Sequence, residues 1–84
     1  MPYTTVYYQG HKVEFMPAHT TYTRRWLVQQ NGEPFKVQQV AGSRAGTYRY
    51  DLYSPNTIGD WRLQEANIPS LDAVARVICD TVYV

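Results

Sequence analysis

Residues able to do chemistry on their own are few in this chain. His11 and His19 are the only imidazoles, Cys79 the only thiol, and seven carboxylates are scattered with no evident pairing. Neither histidine has a Cys, Asp or His at a metal-ligand spacing, so the sequence predicts no zinc or two-metal centre. No Gly-x-Ser-x-Gly turn sets up a nucleophile, and no glycine-rich phosphate loop precedes a helix. Cys79 lies among Val77, Ile78 and Val82 and reads as a buried structural thiol, a small hydrophobe rather than a nucleophile. No catalytic residue and no cofactor is expected.

The other repeated chemistry is cationic and aromatic. Eight tyrosines stand beside two Phe and two Trp, and tyrosine serves both strands and binding surfaces. The net charge is only +1, yet residues 20–50 carry a net +4 and residues 51–84 a net −3. Arg24 and Arg25 adjoin Tyr22 and Trp26; Arg49 lies between Tyr48 and Tyr50; Arg44 sits in a glycine loop. Arg, Tyr and Trp are the types enriched at interface hot spots, and their interleaving also suits stacking on single-stranded nucleic acid. Exposed arginines on strands equally protect sheet edges. The contact set expected for a partner is Tyr22, Arg24, Arg25, Arg44, Tyr48, Arg49 and Tyr53.

The elements that must position these groups are mostly strands. Eighty-four residues, 44% hydrophobic and 18% charged, make one domain over 1–84 and lack the signature of disorder. Tyr3–Tyr8 is a β-branched and aromatic run, joined through Gln9-Gly10 to His11–Met16 in a tight hairpin, with Pro17 ending the pairing. Arg24–Gln30 places Trp26 and Val28 on one face and Arg25, Leu27 and Gln29 on the other. Asn31-Gly32 signals a hairpin, with Glu33-Pro34 lengthening its loop to about four residues. Phe35–Val40 follows, then an exposed loop tip over 41–46, then Thr47–Tyr53 and Asp60–Ala66.

Only the C-terminal segment has helical period. Leu71, Val74, Ala75, Ile78 and Val82 share a face, Ser70 is the N-cap, and a helix over 70–80 results. Residues 81–84 are open between helix, fraying and a returning strand. The expected fold is α+β, an antiparallel sheet of four to five strands with the helix on one face. Its core is drawn from Trp26, Trp61, Phe15, Phe35, Val13, Val28, Leu52, Leu63 and the helix stripe. The sheet's other face is left open, and alternation forces some tyrosines onto it. A lone cysteine, no signal-peptide pattern and no apolar run long enough to span a bilayer point to a soluble cytoplasmic protein, monomeric or dimeric.

Met1-Pro2 before a strand resembles the opening of the tautomerase superfamily, whose N-terminal proline is a general base. That resemblance implies catalysis by Pro2, but the Gly10 hairpin stands where that family places a helix. In size and layout the whole chain looks like small orphan proteins of phages and mobile elements, anti-CRISPR proteins among them. Tyr8-Gln9-Gly10-His11, Asn31-Gly32 and Pro69-Ser70-Leu71-Asp72 carry this likeness. What it implies is a non-catalytic protein that binds and blocks a host complex, one that handles nucleic acid.

Overall fold

In the computed structural model, which describes residues 4–18 and 24–83, each strand lies beside its predecessor in the chain. The six strands are β1 (Thr4–Tyr8), β2 (His11–Ala18), β3 (Arg25–Gln30), β4 (Glu33–Ala41), β5 (Tyr48–Pro55) and β6 (Trp61–Ile68). Every neighbouring pair is antiparallel, in the order β1-β2-β3-β4-β5-β6. A single helix, α1 (Leu71–Val82), packs on one face, so the α+β class expected from sequence holds with six strands rather than four or five.

Local sequence explains the hairpins. Gln9 and Gly10 both take positive φ, 50° and 80°, and Asn31 and Gly32 do the same at 51° and 77°. This is the two-residue turn whose twist matches paired strands, and Asn and Gly adopt it at low cost. The second loop is therefore two residues and not four, since Gln30 already pairs with Glu33, and Pro34 with Gln29. Between β5 and β6, Asn56 Oδ1 accepts from the N–H groups of Ile58 (3.1 Å) and Asp60 (2.9 Å), a side chain standing in for a backbone turn.

Pro17 does not end β2; it sits within it, opposite Trp26. The Gln39 N–H donates to the Arg24 carbonyl, so alternate residues of β3, Trp26 included, direct their backbone groups towards β4. Pro17 thus occupies a non-hydrogen-bonded position, and its missing N–H costs no bond to β3. It also lies past the last described β1 pair, Thr4 with Phe15.

The core lies between sheet and helix. Val13, Phe15, Trp26, Val28, Phe35, Val37, Leu52 and Ile68 point from the sheet into it, and Val74, Ala75, Ile78 and Cys79 from the helix. Fully burying each large apolar side chain contributes about 1.5–3 kcal/mol. The helix starts where its sequence predicts: Ser70 is extended, and its Oγ accepts from the Ala73 N–H at 3.1 Å. It runs through Val82 to a cap at Tyr83, so residues 81 and 82 belong to the helix.

Trp61 and Leu63 are not core. They are 36% and 50% exposed, because Tyr53 pairs with Leu63 and Pro55 with Trp61, which puts both on the face opposite Leu52. Two register shifts follow along β6, and Ile68, opposite Tyr50, is the residue that strand buries.

Candidate functional site

The helix packs on one face of the sheet, no other described element covers the opposite face, and the register orders that face into rows. Met16 pairs with Leu27, Leu27 with Lys36, Lys36 with Tyr53 and Tyr53 with Leu63, so one row crosses five strands. Four of its five residues are apolar or aromatic. Met16 (39%), Leu27 (36%) and Leu63 are well exposed for residues of their type. These residues are gathered along one row, on either side of Lys36, rather than scattered singly over the surface. The next row, two residues along, runs from Ala18 to three polar residues, Arg25, Gln38 and Asp51.

Lys36 organises the middle. Its Nζ stands 4.8 Å from the centroid of the Tyr53 ring and 5.4 Å from that of Trp61, drawn by the negative faces of both rings. Among the described residues the one ion pair on this face joins Lys12 Nζ to Glu14 Oε1 at 3.2 Å. The Glu14 carboxylate, by hydrogen bond and by charge, holds the Lys12 ammonium's pKa above its ordinary value. Among the described residues Arg25, Lys36 and Arg49 have no carboxylate partner, and Arg25 Nε is shut off from solvent with no acceptor. Asp51 Oδ1 accepts from the Asn67 N–H at 3.2 Å.

At the hairpin end of the face lies a cleft of about 550 Å³. It exists because β2 changes partners: its pairs with β3 begin only at Met16, whereas its pairs with β1 run from His11 to Phe15. The β1–β2 hairpin therefore parts from β3. Lys12, Glu14 and Met16 form one wall, Leu27, Gln29 and Pro34 the floor, and Trp61 the far rim.

The contact set expected from sequence is divided by this geometry. Arg25, Arg49 and Tyr53 share the open face. Arg24 and Tyr48 take the parity of Trp26 and Leu52 and so lie on the helix side, both exposed near strand ends. Arg44 is exposed in the loop between β4 and β5, whose Thr47 hydroxyl donates to the Arg44 carbonyl at 2.6 Å. Tyr22 falls outside the described residues, as do Pro2 and His19. Sequence reasoning missed Met16, Leu27, Lys36, Trp61 and Leu63. The available signal was that Leu27 alternates against Trp26 and therefore shares the face of Arg25.

Among the described residues no three of His, Cys, Asp and Glu come together as metal ligands, and no helix is long and apolar enough to cross a membrane. Cys79 is 3% exposed, and burial, with a smaller contribution from Asp80, pushes its thiol above the ordinary value. No family model, no curated protein and no solved structure matches the chain. The molecule is thus characterised by class alone, as an α+β sandwich of two layers, a six-stranded antiparallel sheet with the helix on one face.

Proposed function

We propose that the chain is a non-enzymatic protein-binding module that works through the open face of its sheet. The row Met16–Leu27–Lys36–Tyr53–Leu63, rimmed by Trp61, supports this reading: aromatic and aliphatic anchors stand beside Arg25 and Arg49, cations with no carboxylate partner among the described residues. Interfaces of this make-up bind by desolvating a few such anchors while charges set orientation and approach. We take the target to be a host defence complex that handles nucleic acid, on the resemblance of size and layout to small phage and mobile-element proteins alone, and place the encounter in the cytoplasm, where an unpaired Cys79 stays reduced.

The test is affinity purification from the native host with wild-type bait and with Leu63→Glu and Lys36→Glu baits. Both variants change exposed or half-exposed positions and should fold. A partner recovered by the wild type and lost by both variants is the expected result. Equal recovery by all three sinks the assignment of this face, and loss with Arg44→Glu alone moves the site to the β4–β5 loop.

One observation favours a second reading. Tyr53 and Trp61 flank Lys36 on a face that also holds Arg25 and Arg49, a layout on which single-stranded bases stack while cations meet phosphates. Binding of a labelled oligonucleotide that weakens steeply with added salt would support it, and no binding at low salt removes it.

A further inference from the structure

Resting on the reading of the open face as a protein-recognition surface, we propose that one partner of this face is a second copy of the chain. The face is complementary to itself under a twofold axis lying above it, parallel to β4 near Gln38. Such a rotation sets β3 of one copy over β5 of the other, and β2 over β6, while each row stays at its own height along the strands. Sheets packed face to face keep their strands within about 30° of one another, so residues flanking the axis stay opposed.

The register then decides which side chains meet. Arg25 and Asp51 are the two ends of one row, Arg25 pairing with Gln38 and Gln38 with Asp51. Two strand spacings, about 10 Å, keep them apart within a chain. Across the axis the Arg25 guanidinium, which has no carboxylate partner among the described residues, meets Asp51 of the other copy, and the contact occurs twice. In the next row Leu27 meets Tyr53, and Met16 meets Leu63. One row further, Trp61 arrives over Glu14, at the cleft between the β1–β2 hairpin and β3, which is open enough to receive an indole. Lys36 lies nearest the axis, where two copies of one cation would repel. Its ammonium is displaced towards β5 and β6, over Tyr53 and Trp61, and the twofold carries the two ammonium groups to opposite sides. A closed, isologous interface needs this kind of self-matching.

Sedimentation velocity over a concentration series tests it. The wild type should pass from one copy to two. Arg25→Asp and Asp51→Arg should each raise the dimer dissociation constant at least about tenfold, because each sets two like charges face to face. An equimolar mixture of the two variants should restore the dimer, since every contact between unlike copies is then Asp against Arg. Leu27→Lys mixed with Tyr53→Glu forms a second complementing pair, for use if Asp51→Arg disturbs the Asn67 contact and circular dichroism shows it unfolded. A wild type that stays single at every concentration, or folded variants whose mixture stays single, overturns the proposal. A single-copy wild type whose Leu63→Glu variant still loses its host partner overturns the second copy alone; a single-copy wild type with undiminished capture by that variant overturns the recognition surface as well.

Discussion

The imidazole of His11 lies flat on the phenol ring of Tyr83, ring centroids 3.8 Å apart and planes 9° from parallel. The two residues belong to the start of β2 and the cap of α1. Around them Gln30 Nε2 donates to the Tyr83 hydroxyl at 2.9 Å, and Asn31 Nδ2 donates to the Val82 carbonyl at 3.0 Å. The last turn of the helix is thus fastened to both two-residue hairpins, and the Val82 carbonyl, which the helix end leaves bare, finds a donor in the Asn31 turn.

This latch separates stacking from hydrogen bonding. Tyr83→Phe keeps the stack but leaves the buried Gln30 amide without its acceptor, a loss of about 1–3 kcal/mol. Tyr83→Ala also removes the ring, and its thermal midpoint should be the lower of the two. Equal midpoints for wild type and Tyr83→Phe in a thermal melt would show that the hydroxyl contributes nothing, and equal midpoints for the two variants that the stacked ring contributes nothing.

At the other end of the helix, Ser70→Ala deletes the oxygen that accepts from the Ala73 N–H. The expected loss is about 1 kcal/mol, read as a lower urea midpoint with an unchanged slope. Ser70→Asp should recover most of it, since a carboxylate also caps and opposes the positive helix end.

The two tryptophans should respond in opposite ways. Trp26 is 8% exposed and Trp61 36%. Trp26→Ala should cost about 3–5 kcal/mol and threaten the fold, whereas Trp61→Ala should leave the melt nearly unchanged while weakening whatever the open face binds. In single-tryptophan proteins made by Trp→Phe changes, acrylamide should quench Trp61 strongly and Trp26 weakly.

Cys79 gives the stability a dependence on alkaline pH. Its thiol holds its proton to higher pH in the fold than in the unfolded chain, because burial disfavours the thiolate. The folded state then binds more protons, so this contribution is intact below the ordinary thiol value and declines as pH rises towards the raised one. Urea midpoints of wild type and Cys79→Ala should differ most at neutral pH and narrow or cross in that alkaline window. Parallel curves throughout would show that the thiol is not linked to folding. Native Cys79 should also react far more slowly with a thiol reagent than in urea.

Much of this architecture can be read from the chain because the strands alternate cleanly. Arg25, Leu27 and Gln29 against Trp26 and Val28 is a pattern only a half-buried strand explains, and Ser70 followed by the stripe of Leu71, Val74, Ala75 and Ile78 marks its helix without ambiguity. Alternation says that Trp61 and Leu63 share a face, but not which face. That choice is made by long-range register, Tyr53 against Leu63, and by Ile68 taking the core position beyond two irregular pairings. Proline rules mislead at Pro17, since whether a strand tolerates the ring depends on which neighbour its nitrogen faces. The candidate site suffered most. Arg24 and Arg25 are adjacent in sequence and therefore on opposite sides of the sheet, so charge clustered along the chain is split in space, while Met16 and Leu63, forty-seven positions apart, lie in one row.

The meander joins each strand to the one just made, but α1, made last, has its most extensive contacts with β1, made first. On a ribosome the opening hairpin therefore waits uncovered, its Val13 and Phe15 still wet, until the final helical turn has left the exit tunnel. Five strand pairings can form as the chain lengthens, yet the hydrophobic layer closes only in one late, long-range step. Proteolysis of ribosome-bound chains carrying C-terminal linkers of increasing length should report it as a sudden gain of protection once Val82 emerges, rather than a gradual one strand by strand.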